Sequence, residues 1–128
     1  MTAMSDYLEN ALVNAVLRNT AYTSPATVYA ALFTTATDDA SGGTEVVGGS
    51  YARTAVTFGA PSNGVTSNSG TVTFPTATAS WGTVTHFAIM DAASGGNRLF
   101  HGPLQVTKTV DSGDVFTFPA SNLQVTLA

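Results

Sequence analysis

The stretch WGTVTHFAIMDAASGGNRLFHGPL, residues 81–104, decides the fold class. From Thr83 to Met90 the chain alternates with a period of two and is rich in β-branched and aromatic residues, the pattern of a strand. Ser94-Gly95-Gly96-Asn97 is a cluster of turn formers, and Arg98 to His101 runs back in the strand pattern. The stretch therefore reads as an antiparallel hairpin. It also holds both histidines of the chain, His86 and His101. A register that pairs residue 86 with residue 101 would set the two imidazoles face to face, with Asp91 the nearest acid in sequence to His86. On the other reading, His86 shares a face with Val84, Ala88 and Met90, and both rings are structural.

Downstream of the hairpin, a further strand is expected from Leu104 to Val110, a turn at Asp111-Ser112-Gly113-Asp114, and a strand from Val115 to Phe118. Leu123, Val125 and Leu127 then face one way against Gln124 and Thr126. Upstream, TVYAALF at Thr27 to Phe33 is apolar on both sides and reads as a central strand. YARTAVTF at Tyr51 to Phe58 alternates, with Ala52, Thr54, Val56 and Phe58 on one face. The glycine-rich segment between these strands is expected to be a long surface loop, mobile unless a partner orders it. Pro61-Ser62-Asn63-Gly64 forms a turn, and TVTF at Thr71 to Phe74 follows as half of a hairpin or strand pair. Roughly seven or eight short strands, with turns about ten residues apart, point to an antiparallel sandwich rather than a parallel sheet. The expected fold is mainly β: one antiparallel β-sandwich, jelly-roll-like or a partly open barrel, over residues 26–128, preceded by an N-terminal α-helix at 5–19, all in a single domain 1–128.

The helix follows from a period of 3.6. Leu8, Ala11, Leu12, Ala15 and Val16 recur on one face, while Asn10, Asn14 and Arg18 fall on the other. Asp6 with Glu9 forms a candidate capping box, with Ser5 as the competing cap, and Arg18 suits the negative end of the helix dipole. A helix this short is marginal alone in water, so its apolar stripe needs a partner. Leu8, Leu12, Ala15 and Val16 are therefore candidate contacts with the β-domain, with other copies of the chain or with a neighbouring protein. Trp81 is a further candidate contact, although a single tryptophan opening a strand commonly belongs to a core.

Composition excludes several classes of function. Charged residues make up 9% of the chain, and four Lys+Arg stand against eight Asp+Glu. A chain with a pI near 4.6 has little with which to neutralise phosphates, so neither nucleic acid nor an anionic membrane is an expected partner. The absence of cysteine removes disulfides and thiolate metal sites. Without a long apolar run or a basic leader, the protein is expected to be soluble and unprocessed.

The search for chemistry is mostly empty. The pair His86 and His101 with Asp91 is a candidate metal set, but its spacing matches no helical HxxxH pattern, and the structural reading is preferred. Gly48-Gly49-Ser50-Tyr51-Ala52 fails as a nucleophile elbow because it ends in Ala and lies in a glycine-rich loop. The only lysine, Lys108, sits in a strand, away from any phosphate loop. Asp38-Asp39 and Asp111 with Asp114 read as turn caps or solvated charge, because the ligand spacing of an EF-hand is missing. No catalytic, cofactor or metal site is assigned, and the protein is expected not to be an enzyme.

The segments LENALVNAVLRNTAYTSPATVYAALFTTA, GGTEVVGGSYARTAVTF and WGTVTHFAIMDAASGGNRLFHGPL, followed by KTVDSGD, resemble a family of small virion proteins of tailed bacteriophages, described as tail-fibre-like or head-decoration proteins. The resemblance covers nearly the whole chain and implies a structural part of the phage particle, with no catalytic residues to carry over. The first expectation is a capsid decoration, or cement, protein on the outer capsid surface. There it would bind the major capsid protein and neighbouring virion proteins as a homo-oligomer, without cofactor, nucleic acid or membrane. Its acidity suits the outside of the head, away from packaged DNA. The alternative is a tail fibre, baseplate or other host-binding tail component.

Overall fold

The computed structural model describes residues 2–127. Its elements, in chain order, are β1 (Ala3–Met4), α1 (Asp6–Leu17), β2 (Val28–Phe33), β3 (Thr54–Val56), β4 (Val65–Ser67), β5 (Val72–Thr73), β6 (Gly82–Met90), β7 (Arg98–Val110), β8 (Thr117–Phe118) and β9 (Gln124–Thr126). Five strands form one sheet in the order β1-β7-β6-β2-β3, while β4-β9 and β5-β8 form two short ribbons. Every pair is antiparallel. The fold is thus mainly β and sandwich-like with one helix, and no barrel closes among the described residues.

The quoted stretch is a hairpin, as expected, and it lies at the centre of the sheet, with the strand expected to be central, β2, beside it. Its register pairs Ala88 with His101 and His86 with Pro103. One irregularity decides which side chains enter the core. Val84 faces Lys108 and the next paired residue, His86, faces Pro103, so Thr85 alone stands against residues 104–107. This bulge reverses the inside-outside alternation along β6. Val84, Phe87 and Ile89 consequently share the main core with Ala30 and Leu32 of β2 and with Val72, Phe74, Phe116 and Phe118 from the β5-β8 ribbon. Ala88 and Met90 face the other way, in a smaller buried cluster with Ala31 and Phe33. Aromatic rings dominate the main core: Phe74 meets Phe116 edge-on at 5.7 Å, and Phe116 meets Phe118 at 5.1 Å.

Several expected boundaries change. The two strands expected at 98–101 and 104–110 are one strand of 13 residues, because the bulge lets β7 continue beside β6. The strand expected over Tyr51–Phe58 is shortened to β3, with Phe58 adding an isolated bridge to Asn68. The turn at Ser62-Asn63-Gly64-Val65 is a tight hairpin loop in which Asn63 and Gly64 both have positive φ. The packing also requires glycine at position 64, since a Cβ there would collide with the Leu127 carbonyl oxygen. The strands on either side of residues 68–71 do not pair with each other, however. β4 joins β9 and β5 joins β8, and the second pairing brings Val72 and Phe118 together in the main core.

The helix is shorter than expected at both ends, and Ser5 is its cap: the Leu8 N–H donates to Ser5 Oγ at 3.2 Å. The Asp6–Glu9 box does not form, since Glu9 lies one position too far along and its N–H donates to the Ser5 carbonyl. Ser5 also ties α1 to β7, with its N–H donating to the Leu99 carbonyl and its hydroxyl to the Arg98 carbonyl.

Candidate functional site

The stripe proposed for α1 is buried only in part. Leu8 is 5% exposed, and Leu12 and Ala15 are half-buried, whereas Val16 is 75% exposed. Val13 and Leu17 are also exposed, so α1 presents apolar side chains to solvent on the side away from Leu8. Ser5, bonded to β7, anchors the first turn beside Leu8, whereas the exposed Val16 and Leu17 lie at the other end of the helix.

Trp81 is removed from the contact candidates. It is 5% exposed and packs edge-on against Tyr51 at 5.4 Å, and its indole N–H donates to the Gly49 carbonyl at 2.9 Å. Gly49 has a positive φ, and a Cβ there would lie 2.8 Å from the indole nitrogen. Ser50, the centre of the discounted elbow, pairs with the Thr78 hydroxyl at 2.9 Å and meets no imidazole.

The two histidines do not face each other. They lie diagonally on one side of the β6-β7 pair, and each has its own partner. His86 Nδ1 meets the Thr85 hydroxyl at 2.8 Å, whereas the ring of His101 bridges Thr37 Oγ1 at 2.9 Å and Asp39 Oδ1 at 2.7 Å. Asp91 is occupied elsewhere, accepting from the backbone N–H and side-chain amide of Asn97 across the β6-β7 turn. The candidate set His86, His101 and Asp91 is therefore dispersed. Among the described residues, the one acidic group with clustered ligand atoms is Asp6, Glu9 and Asp39, all exposed and with oxygens within 4.8 Å of one another. Two of these sit in the first helical turn, where the dipole favours negative charge.

Asp38 and Asp114 are turn caps, as their sequence context indicates. Asp38 Oδ1 accepts from the backbone N–H groups of Ala40 and Gly42, and these bonds, with help from Arg98, hold its carboxyl below the usual range. Asp114 accepts from the Asp111 N–H.

The segment expected to be a loose loop, between β2 and β3, is held by an internal polar network that the sequence pattern did not reveal. Arg98 is buried over the Phe33 ring at 5.0 Å and donates to the carbonyls of Asp38 and Gly42. Arg53 grips both oxygens of Glu45 at 2.9 Å and also donates to the carbonyls of Ala92 and Gly95. Burial pushes the Glu45 carboxyl up, but the Arg53 fork and the Tyr51 hydroxyl outweigh it and hold the group below its ordinary value. Burial also pushes the Tyr51 hydroxyl up, so it stays protonated and donates to Glu45 at 2.7 Å while accepting from the Leu32 N–H. Val46 is buried in the main core as a result. Arg53 and Glu45 are eight residues apart in a chain with few charges; that scarcity was the available sequence signal.

A concavity of about 590 Å³ lies between the second half of β7 and the C-terminal segment. Phe87, Leu104, Phe116, Phe118 and Leu123 line it together with neutral Gln and Thr side chains, and Lys108 is the only charged residue in its wall among the described residues. Lys108 Nζ is itself engaged, donating to the Val115 carbonyl at 3.1 Å and lying 5.7 Å from the Phe116 ring. Most of the chain's ionisable side chains outside α1 are thus engaged in internal bonds.

No curated protein matches the chain. The model of the family described as Podophage GP4 fiber I protein gp80 matches residues 3–126, which covers the sheet, both ribbons and the helix. The protein is therefore a structural component of a tailed-phage virion and belongs to the Podophage GP4 fiber I protein gp80 family.

Proposed function

We propose that this protein is a component of the tail fibre apparatus that works by holding neighbouring virion proteins and other copies of itself, and that it carries out no catalysis. The observation that carries this reading is the match of residues 3–126 to a fibre protein family. It supports the tail alternative over the expected place on the outer capsid surface. The spending of acids, histidines and arginines on internal bonds supports the non-catalytic part. The apolar and neutral surface open to partners includes Val13, Val16 and Leu17 on α1, Val106 on β7, and the groove beside it. Interfaces of this kind gain free energy from apolar burial and neutral hydrogen bonds. The test is gold-labelled antibody against the chain on purified intact particles, viewed by electron microscopy. Label at the tail is expected; label spread over the head would restore the decoration reading.

A further inference from the structure

The groove beside β7 has the form of a vacant strand position. β1 pairs with β7 only through Ala3 opposite His101 and Met4 opposite Phe100. Beyond that point no strand covers the same edge of β7 among the described residues. On its other edge the bulge leaves residues 104–107 opposite Thr85 alone. Leu104 to Thr107 therefore have no ladder partner on either side, and Val106 is 80% exposed. Thr2, just ahead of β1, lines the near end of the groove and accepts from the Thr126 N–H at 3.3 Å, so the groove continues the track of β1. The opposite wall comes from β8 and β9, each of which is paired on one edge only.

We propose that this groove accepts a free extended arm of a neighbouring virion polypeptide, which adds to β7 in line with β1. The inference rests on the protein being a virion component. Four unpaired residues span about 13 Å, enough for a short strand to satisfy their backbone groups, and such strand addition is a general mode of peptide recognition. The occupant has to be a free arm. The groove has a wall on each side, whereas every strand of this chain among the described residues already has a sheet neighbour and so keeps at most one open edge, too few to lie between two walls. Charge narrows the chemistry further. Among the described residues the lining contains no side-chain carboxylate and one cation, Lys108, so the arm places apolar residues at alternate positions toward Phe116, Phe118 and Leu123 and carries no lysine or arginine inside. An acidic residue of the arm fits beside Lys108.

The chain has no cysteine, so Val106→Cys places a single thiol on the exposed edge at little risk to folding. Maleimide labelling is measured on the isolated protein, on intact particles assembled with the variant, and on protein released from those particles. If an arm covers the edge, labelling slows roughly tenfold in the particle and recovers on release; a rate within about twofold of the isolated protein overturns the proposal. A benzophenone maleimide attached to that thiol then identifies the cover in the particle. A cross-linked peptide from a different virion polypeptide supports the arm. Cross-linking to a second copy of this chain, or protection without any cross-linked peptide, overturns it. If the protein is present on particles and the thiol stays reactive, the groove proposal fails and the virion reading stands. If the protein is absent from particles, both fail.

Discussion

At the scale of single residues, the few charges of this chain act inside the molecule. Glu45 shows this most directly, because it is partly buried, gripped by Arg53 through both oxygens and bonded by Tyr51. Its folded-state pKa lies below the ordinary 4.5, so the unfolded chain takes up its proton first as the pH drops. The resulting stability is fully present above about pH 4.5 and is lost as the pH falls through the lowered folded value. Glu45→Gln is expected to lower stability at neutral pH by about 1–3 kcal/mol, since Arg53 loses its charged partner. The variant should also show a flatter stability profile on the acid side. Urea melts of both proteins from pH 7 down to pH 3 check this, and an unchanged acid slope in the variant would show that other groups carry the dependence. The place of this network was not legible in the sequence. A pattern of alternation says which face a side chain takes, but not which distant loop folds back to meet it.

At the scale of elements, α1 is attached by its first turn. Ser5 caps the helix and donates to the Arg98 carbonyl, and both contacts lie in a buried position. Removing the hydroxyl costs the cap, worth about 1 kcal/mol, and leaves a buried carbonyl without its donor, for a combined loss of about 1–3 kcal/mol in Ser5→Ala. Val16→Ser, on the exposed side, should stay within about 0.5 kcal/mol of the parent. Denaturation midpoints, together with hydrogen exchange of the α1 amides, separate the two. Equal midpoints for Ser5→Ala and the parent would mean that the helix is held by Leu8 and its neighbours instead. The existence of α1 and its inner residue Leu8 were readable from periodicity. The outward turn of Val16 was not, because the angle at which a helix docks is set by the residues that anchor it, and Ser5 is anchored to a strand far away in sequence.

For the whole molecule, the low charge density has a measurable consequence in the particle. With Arg53, Arg98 and Lys108 already bonded internally, attachment has few ion pairs to lose to screening. Raising salt from about 0.05 to about 0.5 M, which shortens the screening length to a few Å, is expected to change the amount of protein retained on particles by less than about twofold. Retention is read by quantitative gel analysis of sedimented particles. A loss of roughly tenfold without unfolding would show that charge pairs dominate the interface.

Local periodicity and turn chemistry were enough to establish the mainly β fold, the 81–104 hairpin, the helix and the shortage of charge, since each depends on neighbours a few residues apart. The tertiary structure decided what depends on distant pairing. The bulge opposite Thr85 joined two expected strands into β7 and left residues 104–107 open. The tertiary structure also joined β4 to β9 and β5 to β8, segments more than 40 residues apart in sequence as their registers show. His86 and His101 were separated by a register two residues away from the one that would have set them face to face. A short strand has several near-equivalent registers and partners in its own sequence, and only the packing of the complete core distinguishes among them.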